Sequence, residues 1–316
     1  MPDEAPIVIG GSASPKLTQA ICKELGVQPA HAETRRFGEG TLFVRVLENV
    51  RGRHVYVVQS TVYPTNDNVV ELLFWLDACV RASAASVTAV VPYFSYGKGD
   101  KKDEPRVSIR ARVIADAIEA AGASRLVTMD IHAPQIQGFF KIPVGVLYAL
   151  PYLCSAIRAL GLADLVVVSP DAGYAKMARD YASRLHAGFA LADKARPGHG
   201  EEVEFLDLIG DVSNRDAVLV DDFIASGATL VEAAEALVER GARSVWAAAT
   251  HGLFSGEAVE RLTASPIERV IVTDTVETQP VPLGRKVEIV SVAPLFAEAI
   301  RRIHARESIS VLFGNG

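Results

Sequence analysis

Residues Val218–Leu230 read VLVDDFIASGATL. An apolar, β-branched run ends at two adjacent carboxylates, Asp221 and Asp222. The small residues Ala225, Ser226, Gly227, Ala228 and Thr229 follow, and then a helix-like segment. The run 217–220 predicts a buried strand and residues 231–240 a helix, joined by a tight turn. Such a turn collects the backbone N–H groups of a helix start in one concavity, which favours a phosphate. Small side chains let the backbone come close to it. Paired acids there can accept hydrogen bonds from vicinal sugar hydroxyls or hold a hydrated divalent cation. Neither G-x-x-x-x-G-K-[ST] nor a strand-borne G-x-G-x-x-G is present, so this is neither a P-loop nor a dinucleotide fingerprint. The plainer alternative is an ordinary strand-to-helix turn capped by Ser226 or Thr229.

Outward from that segment the same rhythm repeats. Short apolar runs at 7–10, 55–59, 87–91, 125–129, 165–168, 244–249, 270–273 and 287–292 alternate with helix-period stretches at 15–25, 69–84, 109–121, 174–185 and 295–305. Continuous β-branched runs suit parallel strands covered on both faces. The expected fold is therefore α/β, with mostly parallel sheets flanked by helices. The halves echo each other, VTMDIH in one and VLVDD in the other. This predicts two tandem domains, 1–150 and 151–316, with the last ~15 residues packing back on the first.

The 316 residues are 49% hydrophobic, enough for a substantial core, and the formal charge of -6 argues against nucleic acid as a partner. Three scattered cysteines, Cys22, Cys79 and Cys154, form no metal or disulfide pattern. The opening MPDEAPIVIGG carries acids where a secretory leader is basic, and no apolar run reaches membrane-span length. A cytoplasmic protein with no membrane partner is expected.

Three other segments carry candidate chemistry. In VTMDIHAPQIQGFF (127–140) a strand ends at Asp130, and His132 could bind a metal or donate to phosphate oxygens, or could simply bond backbone. In VVSPDAGYAK (167–176) Asp171 and Gly173 stand at a strand-to-helix turn. In LADKARPGHG (191–200) Lys194 and Arg196 could stabilise phosphoryl charge, with Gly198 and Gly200 as hinge candidates; a solvated charged loop is the alternative.

Together these segments resemble a known family. VLVDDFIASGATL resembles the phosphoribosyl pyrophosphate (PRPP) motif of type I phosphoribosyltransferases. With RASAASVTAVVPYFSYGKGDKKD, TMDIHAPQIQGFF, VVSPDAGYAK, DKARP, THGLFSG and APLFAEAIRRIHARESISVLF, the chain resembles the ribose-phosphate pyrophosphokinases nearly end to end. The resemblance implies two tandem type I phosphoribosyltransferase-like domains. It implies transfer of the diphosphoryl group of Mg·ATP to the 1-hydroxyl of ribose 5-phosphate, giving PRPP and AMP. Ribose 5-phosphate would be held by Asp221, Asp222 and residues Ala225 to Thr229. ATP would be held by Phe37, Glu39, Lys98, Gly99, Asp100 and His132, and Mg²⁺ by His132 and Asp171. Lys194 and Arg196 would be catalytic. Arg51, Ser83, Gln135, Ser308, Ser310 and Phe313 would belong to a phosphate/ADP effector site, and the chain would form a homo-oligomer, a dimer or a hexamer built from dimers.

The chain departs from the family's pattern at several positions. Lys98-Gly99 stands where the family has Arg-Gln, and an ammonium cannot repeat a planar bidentate grip. Phe37-Gly38-Glu39-Gly40-Thr41 replaces Phe-x-Asp-Gly-Glu, a segment that reaches a neighbouring subunit's adenine. Tyr174 stands for a second glycine, Ala225-Ser226 for Asp-Thr, and the Lys194 loop is one residue longer. These changes motivate a competing expectation, a non-catalytic regulatory paralogue with an altered ATP site; a further alternative, a phosphoribosyltransferase that consumes PRPP, is disfavoured by the two-domain length and the DIHAPQIQGFF half.

Overall fold

The computed structural model describes residues 5–193, 207–277 and 285–312. They form two compact units, one from residues 5–148, 274–277 and 291–312, the other from 149–193, 207–273 and 285–290.

The first unit opens with β1 (Ile7–Gly10), α1 (Pro15–Leu25), β2 (Ala32–Arg36), β3 (Leu42–Val46), β4 (His54–Val58), α2 (Thr65–Arg81), β5 (Ser86–Val91), α3 (Arg110–Ala120), β6 (Arg125–Met129) and β7 (Val144–Leu147). Strands β1-β4-β5-β6-β7 make one fully parallel sheet in that order. Its strands are near-continuous apolar runs because both faces are covered. Val55, Val57, Val87, Ala89 and Leu126 pack with Leu72, Trp75 and Leu76 of α2 and Ala111, Ala115 and Ile118 of α3. The helical residues recur three or four apart, which puts them on one face.

β2 and β3 pair apart from the sheet as an antiparallel hairpin. The sequence does not announce it: AETRR contains no apolar run, and its register comes from pairing with LFVRV. The hairpin is anchored to the unit's interior through Glu71. This buried carboxylate accepts hydrogen bonds from Thr34 Oγ1 (3.1 Å), the Ser12 amide (2.9 Å), Gln59 Nε2 (3.3 Å) and Trp75 Nε1 (3.1 Å), and from the Ser12 hydroxyl. A buried carboxylate is tolerated where donors surround it in this way.

The second unit contains α4 (Leu150–Ala159), β8 (Val166–Ser169), α5 (Ala175–Leu185), β9 (Gly188–Asp193), β10 (Asp207–Ile209), β11 (Asp216–Ile224), α6 (Ala228–Glu239), β12 (Ser244–Gly252), α7 (Ala258–Ala264), β13 (Ile267–Thr273) and β14 (Val287–Val290). The sheet order is β10-β9-β8-β11-β12-β13-β14, parallel except for the β10–β9 pair. From β8 the chain first builds outward through β9 and β10, then returns to the other side of β8 with β11. The order therefore reverses between β8 and β11. In an open α/β sheet the crevice beyond the carboxyl ends of strands at such a switch point is where ligands bind.

The chain then returns to the first unit. α8 (Ala293–His304) packs on α1, and Arg301 Nη2 donates to the Glu24 carbonyl at 3.0 Å. Glu277 accepts the amides of Lys16 (2.8 Å) and Leu17 (2.5 Å) at the start of α1, satisfying donors that a helix start leaves open. No helix among the described residues is long and apolar enough to cross a membrane.

Candidate active site

In the second unit, Asp221 and Asp222 lie inside β11 rather than at its end. The expected strand 217–220 runs on to Ile224. It pairs with β12 as far as Ile224–Gly252, but with β8 only as far as Leu219–Val168. β11 thus continues past Leu219, the last residue that pairs with β8, and the two acids lie in that extension. β8 ends at Ser169, whose hydroxyl donates to the Asp171 carbonyl at 2.7 Å; the Asp171 carboxylate accepts the Tyr174 amide at 3.0 Å. Asp171 thus shapes the turn before α5, with Tyr174 half-buried at the helix start.

The acids form a stressed pair. The Asp222 amide donates to Asp221 Oδ1 (2.8 Å) and the Phe223 amide to Asp222 Oδ1 (2.9 Å). Burial pushes the Asp221 carboxyl well above the ordinary carboxylate range, and the charges of Asp222 and Asp171 push it the same way. Like charges gathered in a poorly solvated place favour ligands that bring hydroxyl donors or a cation.

After β11 the chain turns into α6 through Gly227, whose φ of 73° is left-handed. A Cβ there would meet Leu262 Cγ at 3.4 Å, an ordinary contact, so it is the left-handed backbone that favours glycine. The outer side of the turn is anchored. Ile224 O accepts the amides of Leu253 and Phe254, Ala225 O that of Ser255, and Ser226 O accepts from Arg261 Nη1 at 3.0 Å. The amides of Gly227, Thr229 and Leu230 have no hydrogen-bond partner among the described residues. Carbonyls held outward and amides left open make a built anion seat.

The first unit holds the expected nucleotide residues on two neighbouring turns. Gly97–Gly99 form one 3₁₀ turn after Tyr96. A Cβ on Gly97 would lie 3.3 Å from the His132 Cβ, so this turn backs directly onto the segment after β6. Gln135 Nε2 donates to Asp100 Oδ2 at 2.6 Å and joins the same two segments. Lys98 and His132 are exposed there, and Gly99 is buried. Gln135, expected at an effector site, thus stands beside the candidate nucleotide residues.

Phe37 and Glu39 sit instead at the tip of the β2–β3 hairpin. Phe37 is 47% exposed and meets Phe43 edge to face at 6.1 Å. Glu39 accepts from the Thr41 hydroxyl at 2.6 Å, which lowers its carboxyl below the usual range. Among the described residues no hydrogen bond or ring contact links this tip to the 97–100 turn. Of the other effector candidates, Arg51 Nη1 donates to Ser83 Oγ at 3.1 Å, and the hydroxyls of Ser308 and Ser310 meet at 2.8 Å. Lys194, Arg196 and Phe313 lie outside the described residues.

Sequence reasoning took Asp130 only as a strand end and passed over Arg110. Asp130 is buried with a left-handed φ of 38° at the end of β6. Arg110 opens α3 and lies against Gly99. No local motif marks Arg110, because the contact spans a long loop.

Three His, Cys, Asp or Glu side chains do not gather into a metal cage among the described residues. The oxygen donors of Asp171, Asp221 and Asp222 nevertheless fit Mg²⁺, which keeps much of its water and commonly uses one or two carboxylates with substrate phosphates.

A doubly wound sheet thus carries an acid pair and a turn of open amides at its switch point. The sequence matches the family described as the N-terminal domain of ribose phosphate pyrophosphokinase over residues 7–122, and the phosphoribosyl synthetase-associated domain over 194–314. A ribose-phosphate pyrophosphokinase of Caldanaerobacter subterraneus subsp. tengcongensis is 48% identical over 97% of both chains. One from Aquifex aeolicus is 47% identical over 97% of this chain and 98% of its own. The crystal structure of phosphoribosylpyrophosphate synthetase from Mycobacterium smegmatis superposes with a TM-score of 0.89 at 36% identity, covering 96% of this chain and all of that one. The chain belongs to the ribose-phosphate pyrophosphokinase family, and its fold is the expected pair of phosphoribosyltransferase-like α/β domains.

Proposed function

We propose that this protein transfers the diphosphoryl group of Mg·ATP to the 1-hydroxyl of ribose 5-phosphate, releasing PRPP and AMP. The observation that carries the reading is the β8/β11 switch point, where an acid pair stands beside a turn of open amides. Asp221 and Asp222 accept from the ribose 2- and 3-hydroxyls. The 5-phosphate takes the Gly227, Thr229 and Leu230 amides and the Ser226 and Thr229 hydroxyls. Held at both ends, the sugar offers its 1-hydroxyl in one orientation, and orientation is a large part of what such a transfer needs. Lys98, Gly99, Asp100 and His132 form the donor-nucleotide site, with Phe37 and Glu39 supplied by a neighbouring copy in a homo-oligomer. Mg²⁺ would be held together with substrate phosphates, His132 being the candidate metal ligand of the first unit and Asp171 that of the second, and it would supply charge neutralisation on the phosphoryl oxygens. As the ribose oxygen bonds to the β-phosphorus, the bridge to the α-phosphate breaks and AMP leaves. Lys194 and Arg196 stabilise the charge that develops.

The test is to incubate the protein with ribose 5-phosphate, Mg²⁺ and ATP and to assay AMP and PRPP in equal amounts. Absence of both, with ATP and with other nucleoside triphosphates, overturns the proposal and favours the regulatory paralogue. Lys194→Ala should lower kcat by orders of magnitude with nucleotide affinity nearly unchanged; equal turnover removes that residue from the mechanism.

A further inference from the structure

The donor-nucleotide turn has lost its planar cation in sequence, and the fold returns one from elsewhere. Gly99 is buried because Arg110 lies on it. A Cβ at position 99 would come within 2.6 Å of Arg110 Nε, 2.8 Å of its Cβ and 3.3 Å of its Cζ. Any side chain at 99 and the observed Arg110 rotamer therefore exclude each other. Gly99 reads less as a deletion than as the space the guanidinium needs.

Arg110 is not placed there for stability. It is the first residue of α3, where the helix dipole disfavours a cation, and the first turn of that helix contains no acid. Its side chain is exposed and makes no hydrogen bond or ion pair among the described residues. Arg112, one turn-face away, is engaged by Asp116 at 2.7 Å. An unengaged guanidinium thus rests on the same short turn as Lys98 and Asp100, backed by the His132 segment through Gly97.

We propose that Arg110 positions the donor nucleotide, its planar fork gripping phosphate oxygens bidentately in place of the arginine that Lys98 has replaced. The inference rests on reading the 97–100 turn as the donor site. It adds a residue that must act with Gly99 as a unit.

Calorimetric titration of the full chain with Mg²⁺ and α,β-methylene-ATP tests it without requiring turnover, with steady-state KM values alongside. Arg110→Ala should weaken binding of the analogue about 10- to 100-fold, raise the KM for ATP in step and leave the KM for ribose 5-phosphate unchanged. Arg110→Lys should recover only part of that loss. Lys98→Arg placed on Arg110→Ala should recover most of it, which a merely structural role would not allow. Gly99→Ala should cost as much as Arg110→Ala, and the double variant should be no worse than either single one. Unchanged analogue affinity in Arg110→Ala, or additive losses in the double variant, overturns the proposal. Those outcomes are distinct from failure of the catalytic reading, in which the unaltered protein makes no AMP.

Discussion

Asp221 holds an acidic proton far more tightly than an exposed aspartate does, through burial first and then the charges of Asp222 and Asp171. A carboxyl raised on folding contributes its full stability below the ordinary carboxylate range. That contribution falls as pH rises from there toward the raised value. Near neutrality Asp221 therefore works against the fold. Asp221→Asn should raise the melting temperature of the ligand-free protein at pH 7, by roughly 2–4 °C per kcal/mol relieved, and the gain should vanish near pH 3–4. The same variant should bind ribose 5-phosphate much more weakly. A melting point equal to or below that of the parent at pH 7 contradicts this account. Asp216, five residues earlier, is the opposite case. Arg243 Nε (2.8 Å), Ser244 Oγ and the Ala163 amide bring its pKa down to about 2, so it supports the fold at neutral pH. Two acids of one strand thus carry opposite signs, and the destabilising one is the one at the switch point.

At the scale of elements, the turn into α6 ties sequence to chemistry most directly. Its composition pointed to a candidate anion seat beside the plainer reading of an ordinary capped turn. What composition could not announce was the anchoring of the turn's outer side by residues 253–255 and Arg261, which are distant in sequence. β11 teaches the same lesson. The apolar run marks its start, but its end depends on β12 continuing beside it past the acids, so the expected strand stopped four residues short. Strands β2, β3, β7, β9 and β10 and helices α4 and α7 also escaped notice, since short segments such as AETRR gain their form from a partner rather than from periodicity. Gly227→Ala should cost about 1–2 kcal/mol of stability by forcing a Cβ into left-handed backbone. It should also raise the KM for ribose 5-phosphate at least tenfold, with the KM for ATP unaffected; equal rises in both would mean that the turn serves the fold rather than the phosphate.

For the molecule as a whole, the pair of α/β units was visible in the repeated strand–loop–helix rhythm, and the parallel sheets in their β-branched runs. The distribution of the candidate nucleotide residues was legible only through the resemblance, which implied that the Phe37 segment reaches a neighbouring subunit. Phe37 and Glu39 stand on a hairpin tip, apart from the turn that carries Lys98 and Asp100. A hairpin that reaches another copy predicts complementation. Phe37→Ala and His132→Ala proteins, each impaired, should regain activity when unfolded and reassembled together, because mixed contacts pair an intact tip with an intact turn. Activity of the mixture no greater than the sum of its parts would place both residues in one chain's own site.

The return of α8 to the first unit has a consequence for how the chain is made. The packing of α1 against α8 is supplied by residues that leave a ribosome only after both sheets are made. The second unit's final strand, β14, is released before α8. During vectorial synthesis the unit begun first is therefore completed last, and until then the apolar face of α1 has only half its cover. Nascent chains arrested just after residue 290 should engage chaperones that those released past residue 304 no longer need.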